Sequence, residues 1–342
     1  MKSAIFIISL DFELHWGGFD KWPEDEYRQY FANTRDTIPK LLQLFSEHET
    51  HVTWASVGML FHKTREALLN NSPEQKPSYN TQKLSAYHYI NQHGIGLSEN
   101  QDPLHYGASI VENIIATRHQ ELASHTFAHY YCNEAGQTLD QFRDDLRSAQ
   151  KAARPYGKTL TSLVFPRNQF NVDYLKVCFE EGFTAVRDNP RDWFWNIQST
   201  QEESWWKRLN RGLDAYVQVG KKNTYKLGSV VMREGLPLCI PASRLLRPYN
   251  PKELFLNSMK IARINSEMDR AARNGEVYHL WWHPHNFGNF PQESLEGLRK
   301  ILVNYDKCRT RYGMVSMTMG EAGEVRRSMS GGLFSTALPS PG

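Results

Sequence analysis

Two histidines stand four residues apart, His125 and His129 in Glu121-Leu-Ala-Ser-His-Thr-Phe-Ala-His129, directly after a short apolar stretch. On one turn of helix that spacing stacks both imidazoles on one face, where they can grip a divalent metal ion. The chain has 13 histidines, so some pairs at this spacing arise by chance and the pair needs company. An acidic pair supplies it: Asp11 and Glu13 close the first apolar run, in Ser9-Leu-Asp-Phe-Glu-Leu-His-Trp-Gly17. A third, anionic ligand from there would complete a site with one position open for water, the catalytic rather than the structural form.

Residues so far apart in sequence meet only if a scaffold brings strand ends together. Short β-branched or aromatic runs alternate with longer amphipathic stretches, the pattern of parallel strands joined by helices. The expected strands are 4–10, 51–58, 120–124, 161–165, 184–187, 229–232, 277–282 and 315–318. Helical periodicity covers 30–49, 139–153, 172–181, 251–274 and 294–311, with Gly182 and Gly275 placed to end two of these helices. Seven or eight such units predict a closed α/β barrel, in which chemistry belongs at the strand ends. The motifs fall there. Asp11 and Glu13 follow the first strand, His125 and His129 the third, Phe165-Pro-Arg-Asn-Gln169 the fourth, and Leu280-Trp-Trp-His-Pro-His-Asn286 the seventh.

At 342 residues with 40% hydrophobic content the chain can fill one large barrel, expected over residues 1–325. The polar, proline-bearing stretch at 70–109 reads as an insertion with some helix, and the Gly/Ser/Pro-rich tail at 328–342 as disordered. A formal charge of +3, with Lys and Arg spread along the chain, argues against a nucleic-acid partner. The first apolar run is too short for a signal sequence and ends in acid, and no stretch approaches the ~20 apolar residues that span a bilayer. The expected location is the cytoplasm. Cys132, Cys178, Cys239 and Cys308 lack close pairing or zinc-ribbon spacing and are expected to be reduced and mostly buried. The segment Trp205-Trp-Lys-Arg-Leu-Asn-Arg211 joins bulky rings to positive charge, which suits either an anionic membrane face or a helix face packed on the body.

With these motifs the chain resembles the NodB-homology polysaccharide deacetylases, carbohydrate esterase family 4, over roughly residues 5–320. The family carries an acidic motif after the first strand, His-Ser/Thr-x-x-His after the third, an arginine motif after the fourth and a late Leu-x-x-His. His125-Thr-Phe-Ala-His129 matches in full. Asp11-Phe-Glu13 replaces the common adjacent pair of aspartates, and Phe165-Pro-Arg-Asn-Gln169 replaces Arg-x-Pro-Tyr. The resemblance implies a distorted (β/α)7-8 barrel and metal-dependent removal of an N-acyl group from an amino sugar. It makes Asp11 the general base, Glu13 the carboxylate ligand beside His125 and His129, and the ion most plausibly zinc. Arg167 would fork onto Asp11 and keep it ionised. His283 would be the general acid, with His285 as its rival. Asp192, or failing it Asp188, would hold that histidine protonated.

Asn168 and Gln169 offer amide hydrogen bonds to a sugar, His285 could contact substrate, and tryptophans near strand ends, Trp16 among them, suit sugar faces. Of Trp281 and Trp282, adjacent on one strand, only one can face inward. In the cytoplasm the substrate would be a small molecule, glycolipid or polysaccharide met during O-antigen or capsule assembly. Two other readings stay open. One is a hydrolase of a non-sugar amide, allantoinase-like, on the same fold; the other is a carbohydrate-binding protein whose site has decayed, for which the altered first and third motifs speak.

Overall fold

The computed structural model describes residues 3–190, 195, 206, 214, 220 and 222–329. Its centre is a parallel sheet of β1 (Ile5–Phe12), β2 (Val52–Ser56), β3 (Gln120–Ser124), β4 (Ser162–Leu163), β5 (Ala185–Asp188), β6 (Leu238–Pro241), β7 (Arg244–Leu245), β8 (Val277–Trp282) and β9 (Val315–Ser316). The strand order is β6-β5-β4-β3-β2-β1-β8-β7, with β9 paired to the start of β1.

The two ends of that order are consecutive in the chain. Only Ala242 and Ser243 separate Pro241 from Arg244, a span of at most ~11 Å at 3.8 Å per residue, so the edges of the sheet must curl until they meet. The hand-off is visible in the hydrogen bonds: Ala242 N donates to Asp188 O of β5 (2.9 Å) and Ser243 N to His279 O of β8 (2.8 Å). The result is the expected distorted (β/α) barrel, its seam made by one kinked segment. That segment corrects the sequence expectation of a strand at 229–232. Val231 and Met232 there are exposed, and only Val230 reaches the interior, while the strand itself lies at 238–241, ending in a proline.

Alternation along β1 decides what each residue does. Phe6, Ile8, Leu10 and Phe12 face the helices and join the main core. Ile5 and Ile7 point the other way, into an interior cluster with Ala55, Ala123, Val164, Ala185, Ile240 and Val277, drawn from strands all around the barrel. Ser9 and Asp11 continue this inward row, which is why one residue separates Asp11 from Glu13.

The helices that cover the sheet are α1 (Glu24–Glu47), α2 (Arg65–Asn70), α3 (Ala86–His93), α4 (Ala108–Ala116), α5 (Leu139–Ala153), α6 (Val172–Glu180), α7 (Leu254–Asn274), α8 (Pro291–Tyr312) and α9 (Met319–Ser328). Gly275 ends α7 in the left-handed conformation (φ 65°), as expected from its position. Met319 and Ala322 of α9 cover the interior at the strand starts, beside Ile5 and Val277. The stretch at 70–109 holds α3 and is tied to α1 by Arg35, which donates to Pro103 O (3.2 Å), Tyr106 O (2.6 Å) and Glu99 Oε1 (2.5 Å). No described helix is long and apolar enough to cross a membrane. The tail beyond 329 and, apart from Trp206, the segment 205–211 lie outside the described residues.

Candidate active site

Glu13 is the meeting point. Its Oε1 lies 3.1 Å from His125 Nε2, 3.4 Å from His129 Nε2 and 3.4 Å from His283 Nε2, and Glu13, His125 and His129 are almost fully buried. The carboxylate reaches this point because residue 17 is glycine: a Cβ there would stand 1.6 Å from Glu13 Oε2. Burial alone would raise the Glu13 pKa, but His283 and His129 more than reverse that and hold it well below the usual carboxylate range.

His125 and His129 meet here without a helix, which corrects the sequence reading. The segment after β3 is a loop in which Thr126 (φ 63°) and His129 (φ 54°) are left-handed, a costly state for a β-branched residue. Four hydrogen bonds impose it. Thr126 N donates to Ser124 Oγ (3.0 Å), Tyr130 N to Thr126 Oγ1 (2.7 Å), Phe127 N to Asp145 Oδ2 (2.6 Å) and Ala128 N to Asp145 Oδ1 (3.1 Å). Asp145 is a buried residue of α5 that sequence reading missed, since a lone aspartate in an amphipathic helix carries no signal by itself.

The residues fit a metal ion. Glu13, His125 and His129 each present a ligand atom within 4.8 Å of the others, and the N, N, O set suits zinc-class ions. Neither ring nitrogen of buried His125 has a hydrogen-bond partner among the described residues. His129 is oriented from behind, its Nδ1 lying 2.9 Å from Tyr131 Oη, so that Nε2 is left to face the cluster.

Asp11 is held by Arg187, not by Arg167. The guanidinium of Arg187 donates to Asp11 Oδ1 (2.5 Å) and Oδ2 (2.7 Å), and lies 4.2 Å above the ring of Trp281. Burial raises the Asp11 pKa and Arg187, with His283, outweighs it, leaving the group below its ordinary value. Beneath the fork, Arg187 Nη1 donates to Ser9 Oγ (3.2 Å), which lies 2.8 Å from His279 Nε2. Arg167 fails to reach because β4 ends at Leu163 and two left-handed residues, Arg167 and Asn168 (φ 53° each), turn the chain away. Its side chain instead pairs with Asp20 (2.9 Å) and stacks 4.0 Å over Tyr131. Alternation could have found Arg187: it follows inward Ala185 by two residues at the end of its strand.

His283 lies 3.6 Å from Asp11 Oδ2, with about a quarter of its side chain open to solvent (27%). Burial would lower its pKa, and Glu13 and Asp11 more than offset that, so it is raised. His285, the rival, is buried against Trp22, Tyr30 and Phe31 and stacks on His283 at 4.9 Å. Burial pushes its pKa down to about 3. It is buried behind His283, which corrects the substrate contact expected of it. Of the tryptophan pair, Trp281 faces inward under Arg187, and Trp282 lies outward in the main core.

Two further substrate contacts are corrected by burial. Trp16 is inaccessible, its indole N–H donating to His105 O (2.9 Å), and Gln169 is buried with its amide on Glu134 Oε1 (3.1 Å). Asn168 is half-buried and accepts from Arg187 Nη2 (3.1 Å), so it braces the fork. Asp192 lies outside the described residues; Asp188, the other candidate, ends β5 and accepts from Asn189 N (2.8 Å). The four cysteines are free, three of them buried.

No family model matches the chain, and no curated protein matches its sequence. Solved structures do match. A Mycobacterium smegmatis protein assigned as a polysaccharide deacetylase superposes with a TM-score of 0.59 at 15% identity, covering 100% of this chain and 95% of that one. A Pseudomonas aeruginosa protein with the same assignment gives 0.55 at 10% identity over 94% of this chain and 89% of its own. The PuuE allantoinase gives 0.56 at 11% identity over 96% and 91%. Identities this low establish architecture: the chain has the NodB-like fold of the polysaccharide deacetylases.

Proposed function

We propose that the protein is a metal-dependent amide hydrolase that removes an N-acyl group, acetyl or formyl, from an amino sugar. The observation that carries this reading is the convergence of Glu13, His125 and His129 beside an arginine-held aspartate and a partly exposed histidine. Glu13, His125 and His129 would hold an ion of the zinc class, which when bound polarises the amide carbonyl and makes its water more acidic.

Asp11 takes the proton of the attacking water. A carboxylate held below its ordinary pKa is a weak base by itself, so the fork of Arg187 serves mainly to fix its direction and keep it ionised. His283 gives its proton to the departing amine nitrogen. Glu13 and Asp11 raise its pKa, the direction that favours the protonated form an acid in this step requires. His285, neutral and packed in rings, keeps His283 in place. The sugar assignment draws on the fold shared with the two structures assigned as polysaccharide deacetylases.

The test is release of acetate or formate from a panel of N-acylated amino sugars, with allantoin as a non-sugar control, before and after chelation. Acyl release from a sugar that stops on chelation and returns with zinc is the expected result. Turnover of allantoin alone, or turnover indifferent to chelator, would overturn it.

A further inference from the structure

A second cluster of metal-ligating side chains stands apart from Glu13, although the same tight turn after β1 supplies both. His15 Nδ1 and His105 Nε2 face each other at 2.9 Å, and Glu24 Oε1 lies 4.0 Å from His105 Nε2. All three atoms fall within 4.8 Å of one another. They come from three separate stretches: the single turn Leu14–Gly17, the first residue of α1, and the segment leading into α4.

The other nitrogen of each ring fixes what the facing nitrogens can be. His15 Nε2 lies 2.8 Å from Trp22 O, and a carbonyl only accepts, so Nε2 carries the hydrogen. His105 Nδ1 lies 2.8 Å from Asp102 Oδ2, which also accepts from Gly96 N (2.8 Å). Asp102 Oδ2 thus already serves as an acceptor, and the hydrogen of His105 sits on Nδ1 facing it.

With those hydrogens on the far side of each ring, the facing nitrogens His15 Nδ1 and His105 Nε2 present lone pairs to each other. Two lone pairs repel at 2.9 Å unless a positive centre lies between or beside them. A backbone carbonyl behind one histidine and a carboxylate behind the other is the arrangement that orients metal-ligating imidazoles. Around them Trp16, Phe31 and Tyr89 pack against the two rings and limit access by water.

We propose that His15 Nδ1, His105 Nε2 and Glu24 Oε1 form a second divalent-metal site, of the zinc class, separate from the Glu13, His125 and His129 cluster. Zinc bonds of about 2.0–2.1 Å to nitrogen place neighbouring ligand atoms a little over 3 Å apart in tetrahedral geometry, so a small opening of the histidine pair and a small advance of Glu24 complete it. The Tyr89 hydroxyl donates to Glu24 Oε1 and holds that carboxylate in place. Glu24 is a third exposed while both rings are sealed, so the ion enters past Glu24. Once bound it clamps the turn after β1, the start of α1 and the 70–109 stretch together.

The test is metal stoichiometry in the whole chain. Protein stripped by chelator is titrated with Zn²⁺ or Co²⁺, desalted and assayed for bound metal, with far-UV circular dichroism to confirm folding. Wild type should retain two equivalents, and Glu24→Gln one. The His125→Ala, His129→Ala double variant should retain one, show a cobalt spectrum and gain thermal stability on adding zinc, and adding Glu24→Gln should abolish all three. Asp102→Asn should weaken the affinity of this site about 10–100-fold. A Glu24→Gln variant that binds as many equivalents as wild type would overturn the proposal. The gap between the rings would then hold a shared proton. If the double variant does not fold, the comparison of wild type with Glu24→Gln decides alone.

Discussion

Arg187 is the residue on which the geometry of Asp11, the proposed base, depends. Its planar fork meets both oxygens of Asp11, a match that a lysine ammonium cannot reproduce. Arg187→Lys should lower turnover by about 100-fold, the scale on which misplacing a reacting group by an ångström acts. Arg167→Ala, which removes a pair with Asp20, should cost only a few-fold; equal losses at the two arginines would contradict the assignment. The histidine pair separates in the same way. His283→Ala should cost at least about 100-fold in kcat, as loss of a general acid does. His285→Ala should lower Tm and leave most of the kcat of the folded fraction. The motif spacing pointed to His125, His129, Asp11 and Glu13, because one residue type at each strand end is a local pattern. The partner of Asp11 was misread because the arginine after β4 and the arginine in β5 differ only in which way the backbone turns, and two left-handed residues decide that.

At the scale of elements, the loop after β3 matters most. It holds Thr126 and His129 in a left-handed backbone conformation that they would not choose, and Asp145 of α5 anchors it through two backbone N–H groups. Asp145→Ala leaves both donors buried and unpaired, and should destabilise the fold by about 3 kcal/mol while weakening metal retention. Chemical denaturation and bound-metal assay check the two halves of that statement. The link between α1 and the 70–109 stretch gives a pH prediction. Burial would raise the Glu99 pKa, but bonds from Ser109 and Arg35 outweigh it and lower the group. A group lowered in the folded state stabilises fully above its unfolded pKa of about 4.3, and the contribution fades as pH falls through the folded value. The Tm gap between wild type and Glu99→Gln should therefore be largest near neutrality and shrink below about pH 4. A gap that widens in acid would contradict it. Most strands were legible from β-branched runs bounded by turn residues. The β6 and β7 pair was not, since a four-residue strand ending in proline beside a two-residue strand gives almost no alternation to count, whereas Ser229-Val-Val-Met232 imitates a strand without a buried row.

Over the whole molecule, the barrel turns a period of two in each strand into one chemical surface. Asp11, Arg187 and Trp281 lie on inward rows; Ile5 and Ile7 fill the row below Asp11, and Ala55 and Ala123 stand level with it on β2 and β3. Small residues there keep the barrel narrow enough for an arginine on β5 to reach an aspartate on β1. This long-range closeness is what local sequence patterns do not express. Stripping metal from the protein should lower Tm, since an ion bound only by the folded state stabilises it by mass action, and re-adding zinc should restore the loss. The most direct test of the central claim is acyl release by the His125→Ala, His129→Ala double variant, folded and supplied with zinc, on a substrate that wild type turns over. We predict that hydrolysis falls to background while the chain keeps its fold; release at the wild-type rate would show that these two histidines hold no catalytic ion.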